Sequence, residues 1–214
     1  MMAMQLTTGD LMLPLRWLDM PSETSADNEE TLVARCRQGE DESFRAIFEL
    51  YARSINGFIY GMLGERDLAE ELTQETFIRA YMKISTFRDA SKLSTWLFGI
   101  AKNVAREALY VRRTKGQTHV EINDPSLRGL SDHEPSPAAH LLNKELHRVM
   151  LDALDKLDED KREVFTLRAF HHKRYDEIAD ITGFSLSKVK SDLHRARAEM
   201  QRFVSLYTEH HDEV

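Results

Sequence analysis

Apolar residues recur at steps of three and four along most of the chain, the period of an amphipathic α-helix. Gly64 follows the longest run and marks the end of that helix. Another helix, ending at Gly39, precedes this longest one. Two further helices are predicted after it. One covers 67–85, and the other begins at an N-cap at Ser94 and ends at about residue 114. The longest run contains Phe44, Ile47, Phe48, Tyr51, Ile55, Phe58, Ile59 and Met62. Because no segment shows sustained strand-like alternation, the pattern predicts an all-α fold.

The helical pattern stops at residues 115–137, which hold glycines and prolines and have no sustained periodicity. A compact domain seldom needs a loop this long, so we interpret it as an acidic, flexible linker between two small helical domains. The first domain covers 29–114 and the second 138–207. Residues 1–28 are predicted to be a largely disordered extension, and 208–214 a tail.

Composition narrows the class of protein. The chain has 214 residues, one cysteine and a formal net charge of −7. A single Cys36 excludes an internal disulfide framework, and no apolar run is long enough to span a membrane, so we expect no membrane insertion and a cytoplasmic location. The charge is unevenly distributed, with +4 over 99–116, +3 over 185–202 and −3 over 64–80. Two basic segments suggest contact with a polyanion, and the acidic one suggests a different partner.

The segment 175–200 predicts a helix-turn-helix. Ile178 and Ala179 lie on a short helix, Gly183 allows the tight turn, and Val189 and Leu193 pack a second helix back onto the first. In that motif the second helix enters the DNA major groove. Ser185 is the predicted N-cap of this helix. A plain helical hairpin with a solvated face is the alternative. The outward residues are Ser187, Lys188, Lys190, Ser191, His194, Arg195 and Arg197.

Two further surfaces are candidates for binding. The helix from residue 94 combines rings and cations, a mixture that suits single-stranded nucleic acid. These residues are Trp96, Phe98, Asn103, Arg106, Tyr110, Arg112 and Arg113. Alternatively its rings are core and its arginines a solvated helix end. Glu71, Gln74, Glu75 and Ile78 share one helix face, which suits a basic partner helix or is simply solvated.

Catalytic signals are weak. No phosphate-binding loop, HExxH motif or nucleophile elbow is present. His210 and His211, followed by Asp212 and Glu213, could form a metal cluster, so a helical metal-dependent enzyme stays open as a remote alternative. We expect no catalytic residue, no cofactor and no metal site.

Together, three segments resemble an extracytoplasmic-function (ECF) sigma factor of the bacterial sigma-70 family. EELTQETFIRAY (70–81) resembles the family's polymerase-binding segment, and STWLFGIAKNVAREALYVRR (94–113) its −10 reading and melting segment. YDEIADITGFSLSKVKSDLHRARAEM (175–200) resembles its −35 reading helix-turn-helix. The resemblance implies a transcription initiation factor with two helical domains. Its partners would be the clamp helices of the largest polymerase subunit, the flap of the second-largest subunit, promoter DNA and an anti-sigma factor.

The resemblance also assigns roles to residues. The loop 87–93 would hold a flipped −10 base, and the linker would run toward the polymerase active-site channel. The polymerase-binding residues would be Glu70, Glu71, Gln74, Glu75 and Ile78. Those that contact −10 DNA would be Phe87, Arg88, Asp89, Ser91, Lys92, Trp96, Asn103, Arg106, Tyr110, Arg112 and Arg113. Those that contact −35 DNA would be Ser185, Ser187, Lys188, Lys190, Ser191, His194, Arg195 and Arg197.

The chain departs from the family pattern in places. Asp89, Ala90 and Ser91 stand where many relatives have a glycine, which affects the −10 base preference. Asp192 replaces a frequent arginine, as Leu186 and Lys188 replace a proline and a threonine. We expect the Asp192 carboxylate to repel phosphate or to accept a hydrogen bond from a cytosine amine. A dimeric helix-turn-helix regulator that binds operators without polymerase is the alternative function.

Overall fold

The computed structural model describes residues 26–87, 92–115 and 137–211, with side chains described over 29–87, 92–115 and 147–205. These residues form eight α-helices and one short 3₁₀ turn, with no strand among them, which confirms the predicted all-α class. The helices are α1 (Ala26–Arg37), α2 (Asp41–Leu63), α3 (Arg66–Lys83), α4 (Leu93–Thr114), α5 (Pro137–Lys156), α6 (Glu159–Ala169), α7 (Tyr175–Thr182) and α8 (Leu186–His211); the 3₁₀ turn, Ile84–Thr86, follows α3.

Helices α1–α4 form a first block around α2, whose apolar face is fully buried through Ile47, Ile55, Phe58 and Ile59. The helix ends where the sequence predicts, because Gly64 adopts a left-handed conformation (φ 71°) and its N–H bonds to the Tyr60 carbonyl.

Several predicted boundaries shift. Ser94 is not the N-cap of α4: the helix begins at Leu93 after Lys92, and the Ser94 hydroxyl instead accepts a hydrogen bond from Lys173 (3.0 Å). Helix α3 ends at Lys83 rather than residue 85, since the chain tightens into the 3₁₀ turn. Helix α1 begins at Ala26, inside the predicted extension. The remainder of that extension, the predicted linker over 116–136 and the end of the tail lie outside the described residues.

Helices α5–α8 form a second block with an apolar cluster of its own that includes Leu154, Leu157, Phe170 and Met200. Gly183 takes the positive φ (78°) that the predicted turn requires. The Ser185 hydroxyl accepts a hydrogen bond from the Lys188 backbone N–H (3.2 Å), which confirms the predicted cap of α8.

The two blocks pack directly against each other, with α6 on α2 and α7 on α4. Val164, Leu167 and Ile178 of the second block are fully buried in the same core as Phe58 and Phe98 of the first. The crossing of α2 and α6 is close because α2 has no side chain at Gly61, where a Cβ would lie 2.9 Å from Cγ2 of Thr166. The described part of the molecule is therefore one packed body.

Candidate nucleic-acid and protein interfaces

One face of α3 is acidic and exposed. Glu71, Gln74 and Ile78 all point to solvent; Glu75 is half-buried, and its carboxylate accepts a hydrogen bond from Arg79 (2.7 Å). Glu70 is exposed and pairs with Arg66 (3.3 Å). The regular i, i+3, i+4, i+7 spacing brings these side chains to one surface, as predicted.

An apolar patch that the sequence analysis missed lies on the same helix. Met82 is 75% exposed, Ile78 56% and Tyr81 50%. Of these three, only Ile78 was singled out from the sequence. The signal was present, since a large apolar residue outside the buried face of an amphipathic helix favours a contact surface. Together with the acidic residues, this patch is suited to a partner that carries both cations and apolar groups.

The −10 candidate residues divide into core and surface. Phe98 is fully buried against Phe58, with ring centroids 5.5 Å apart, so it is a core residue and not a base platform. Phe87 is also buried, and its ring packs on the half-buried Trp96 at 5.3 Å. Asn103 and Tyr110 are exposed. Arg88, Asp89 and Ser91 lie outside the described residues.

The four described cations of this group are all paired with acceptors. Arg106 donates to Glu163 (2.7 Å) and to Asp160 (2.6 Å), both on α6. Arg113 pairs with Glu159 (3.1 Å) and Lys92 with Glu177 (2.9 Å), again in the second block. Within the first block, Arg112 donates to the Leu63 carbonyl (3.2 Å) and lies 3.9 Å from Glu65.

Burial and charge act against each other in the Arg106 cluster. Burial raises the pKa of the Glu163 carboxyl, and the neighbouring Arg106 only partly offsets this. Burial also acts to raise the pKa of Asp160, but hydrogen bonds from Lys188 and Arg106 hold it below its ordinary value. Glu163 and Asp160 therefore both accept hydrogen bonds from Arg106 within a partly desolvated contact.

The outward face of α8 is basic, as predicted. Ser187, Lys190, Ser191, His194, Arg195 and Arg197 are exposed, as is the cap Ser185, while Val189, Leu193 and Ala196 are buried on the opposite face. Lys188 differs from the others, because its ammonium lies 2.6 Å from Asp192 and 3.0 Å from Asp160, and 4.5 Å from the centre of the Phe184 ring.

The structure contradicts the expectation that Asp192 accepts a hydrogen bond from a cytosine amine. Asp192 is only 6% exposed, and its carboxylate is bound by Lys188 on the preceding turn. It therefore cannot accept a hydrogen bond from a base edge in this arrangement. The resemblance to the family's reading helix suggested a DNA contact, whereas packing buries this side chain within the second block.

A cleft of about 300 Å³ lies between α3 and α4. It is polar and largely cationic, and the −10 candidates Asn103 and Arg106 contribute to it. The lining residues are Arg79, Lys83, Ile100, Asn103, Arg106 and Glu107.

Among the described residues, no group of three or more His, Cys, Asp or Glu side chains is arranged to hold a metal ion. His171 is buried between the rings of Phe58 and Phe98, and the side chains of His210 and His211 lie outside the described residues. None of the helices formed by the described residues has the length and apolarity that crossing a bilayer requires.

Comparison with known proteins identifies the family to which these surfaces belong. The family model "Sigma-70 region 2" matches residues 47–115, and "Sigma-70, region 4" matches 147–200. The ECF RNA polymerase sigma-E factor of Haemophilus influenzae is 30% identical over 79% of this chain and 91% of its own length. The ECF RNA polymerase sigma factor SigM of Bacillus subtilis is 34% identical over 75% of this chain and 93% of its own.

Solved structures agree in fold. CnrH in complex with the cytosolic domain of CnrY matches with a TM-score of 0.63 at 23% identity, over 85% of this chain and 99% of CnrH. The sigma factor RpoE from Bartonella quintana, in complex with the anti-sigma factor NepR, matches with a TM-score of 0.61 at 25% identity. That alignment covers 77% of this chain and 98% of RpoE.

Proposed function

The chain belongs to the ECF sigma factors of the sigma-70 family, and from this premise we propose how its surfaces divide the work of promoter-specific transcription initiation. Helix α8 reads −35 DNA, α4 and the loop before it read and melt −10 DNA, and α3 binds core RNA polymerase. The observation that carries this proposal is the exposed basic face of α8 behind the Gly183 turn, on the segment matched by the region 4 model.

The −35 assignment rests on the chemistry of the α8 face. Exposed serines and long cations at the start of a recognition helix suit base edges and phosphates in the major groove. Lys190 and Arg195 have no ion pair among the described residues and are exposed, so they are the strongest candidates for direct contact. Ser185, Ser187, Ser191, His194 and Arg197 complete the proposed surface, and Lys188 joins it once released from its carboxylates.

The polymerase assignment rests on α3. Its acidic face and the adjoining Ile78, Tyr81 and Met82 suit a basic and partly apolar surface, which we assign to the clamp helices of the largest subunit. The second block would bind the flap of the second-largest subunit. The protein supplies no catalytic group of its own, because the polymerase performs the chemistry, and it acts in the bacterial cytoplasm.

Regulation by an anti-sigma factor is part of this proposal. RpoE, which this chain resembles over 77% of its length, was solved with the anti-sigma factor NepR. We assign the present chain a partner of the same kind, which would hold it inactive until released.

Run-off transcription from a pool of genomic fragments tests the function as a whole. Core polymerase with this protein should start transcripts at discrete sites that are absent with core alone. The alternative, a free-standing regulator, would be supported by three results together: no such transcripts, a stable dimer on a sizing column, and tight operator binding without polymerase.

A pair of variants tests the division of work. Lys190→Ala or Arg195→Ala should lower promoter use at least about fivefold and leave binding to core polymerase unchanged, because each removes a DNA contact. Lys156→Ala, an exposed lysine on α5, is the matched control.

Glu71→Ala with Gln74→Ala and Glu75→Ala should instead weaken polymerase binding and leave binding of −35 duplex DNA unchanged. If both sets of variants lose both activities, the assignment of roles is wrong.

A further inference from the structure

The second block pairs with the cations that the proposed function needs for −10 DNA; Arg106 is half-buried by this contact, while Lys92 and Arg113 remain exposed. Arg106, Arg113 and Lys92 each bind a carboxylate of the second block, at 2.6–3.1 Å. These carboxylates belong to Asp160, Glu159 and Glu177; the buried Glu163 adds a second bond to Arg106. A row of carboxylates on a cationic helix face offers the same charge and acceptor oxygens as the phosphates of a nucleic acid strand.

The contact between the blocks is fitted in detail. The guanidinium of Arg162, on α6, donates to the Met62 carbonyl at the end of α2 (2.7 Å). Gly61 in the middle of α2 leaves room for Thr166 of the second block, whereas a Cβ at Gly57 would meet Cε1 of His171 at an ordinary 3.6 Å. Glycine inside a helix costs about 1 kcal/mol relative to alanine, so Gly61 in this buried helix favours a packing role.

This arrangement is incompatible with a promoter complex. Lys188 of the −35 helix and Arg106 of the −10 helix bind the same carboxylate, that of Asp160, at 3.0 and 2.6 Å. Promoter elements centred near −35 and −10 lie about 25 base pairs apart, roughly 85 Å along B-DNA. Two side chains that share one carboxylate cannot reach both elements, so the blocks must separate before DNA is bound.

We propose that this closed arrangement is an autoinhibited state, in which the carboxylates of Glu159, Asp160, Glu163 and Glu177 occupy the −10 DNA surface of α4 in place of nucleic acid. The inference rests on the proposed function, because it takes Lys92, Arg106 and Arg113 as DNA contacts. Separation of the blocks releases these cations, whereas Lys188 keeps both of its carboxylate partners, Asp160 and Asp192, within the second block. The fold therefore contains its own inhibitor, independent of any anti-sigma factor.

Binding of a labelled single-stranded dT20 oligonucleotide to the free full-length chain tests the charge contacts. The variant Glu159→Gln/Asp160→Asn/Glu177→Gln should bind about tenfold more tightly than the wild type at low salt, because three cations are released. The control Glu49→Gln/Asp152→Asn/Asp180→Asn removes the same net charge. Two of its carboxylates pair only within their own helix, with Arg45 and Arg148. It should change binding less than twofold.

A steric variant tests the same contact without altering charge. Gly61→Ala places a Cβ 2.9 Å from Cγ2 of Thr166 and should push α6 away from α2. Adding Thr166→Ala removes Cγ2 and Oγ1 and leaves Cβ at 3.9 Å, an ordinary contact that should close the blocks again. Energy transfer between dyes on Arg53→Cys and Arg202→Cys, in a Cys36→Ala background, should fall for Gly61→Ala and recover in the double variant.

The outcomes separate this inference from the proposed function. If the charge and steric variants bind dT20 no better than the wild type while run-off transcription with core polymerase is intact, the autoinhibition is wrong and the sigma function stands. If no variant, nor the wild type, supports run-off transcription, the proposed function fails as well. Circular dichroism establishes whether each variant is folded; if Gly61→Ala is not, the charge variant decides.

Discussion

At the scale of single residues, the contact between the blocks buries titratable groups with few partners. His171 lies between the rings of Phe58 and Phe98, and its Nε2 has no hydrogen-bond partner among the described residues. The ammonium of Lys173 lies 4.7 Å from the centre of the same Phe98 ring. Burial, with a smaller contribution from Lys173, lowers the pKa of His171 to about 3, so the imidazole is neutral in this arrangement.

This buried histidine predicts a loss of stability in mild acid. The pKa of His171 is lower in the folded chain than in the unfolded one. This group therefore leaves the free energy of unfolding at its full value above pH 6.5 and decreases it as the pH falls toward 3. Between pH 7.5 and 5.5 we expect the free energy of unfolding to fall by about 1.4 kcal/mol through this group. Urea unfolding should show that His171→Phe lacks this part of the decline.

His172→Asn is the control for the histidine prediction. His172 is exposed and has a positive φ (50°), which asparagine tolerates. Its substitution should leave the pH dependence of the wild type unchanged. An equal effect of both substitutions would show that burial of His171 is not the cause.

The buried position of Asp192 gives a second prediction at the residue scale, on the base preference at the −35 element. Since its carboxylate binds Lys188 on the buried side of α8, Asp192→Asn should leave the base preference at the −35 element unaltered. We expect promoter use to change less than twofold, compared with at least about fivefold for Arg195→Ala. Run-off transcription on promoters with each base at the −35 positions measures this. A changed base preference in Asp192→Asn would show instead that the carboxylate contacts the DNA.

At the scale of elements, helices α2 and α4 differ in whether an internal glycine is needed for packing. Gly61 in α2 is in contact with α6, whereas a Cβ at Gly99 in α4 would meet nothing within 4 Å. Gly99 therefore contributes no packing, and Gly99→Ala should raise the free energy of unfolding by about 0.5–1 kcal/mol through helix propensity and the less flexible unfolded chain.

Urea denaturation at pH 7.5 compares Gly99→Ala with Gly61→Ala directly. The expected signs are opposite, because the same propensity gain at residue 61 is outweighed by the clash with Thr166. If Gly61→Ala were as stabilising as Gly99→Ala, the close crossing of α2 and α6 would not exist in solution.

At the scale of the whole molecule, the closed arrangement accounts for how an acidic protein carries DNA-binding surfaces. The net charge of −7 opposes DNA binding by the free chain, and the second block neutralises the most basic part of the first. Under the proposed autoinhibition, both effects would limit contact with nonspecific DNA until core polymerase separates the two blocks.

Core polymerase should therefore open the molecule. In the doubly labelled chain, addition of core polymerase is expected to lower energy transfer, because the promoter elements that the bound protein would read are about 85 Å apart, too far for the closed arrangement. The variant Glu71→Ala/Gln74→Ala/Glu75→Ala, titrated over the same concentrations, should keep high transfer. Unchanged transfer in a wild-type complex that is fully bound and active would contradict this.

Periodicity alone determined the all-α class, most helix positions, the turns at Gly64 and Gly183, and the faces of α3 and α8 that point to solvent. These features depend on neighbours within four residues, so the local pattern specifies them. The three segments that resemble sigma factors are equally local, which is why the family was evident before the structure.

Tertiary structure alone decided that the blocks close on each other and which charges they bring together. Arg106 meets Glu163 and Asp160 more than fifty positions along the chain. No local pattern encodes such contacts, because an arginine on a solvated helix face and one bound to a distant carboxylate have the same sequence neighbours. The physical difference lies in packing, which places Gly61 under Thr166 and so sets α6 against α2.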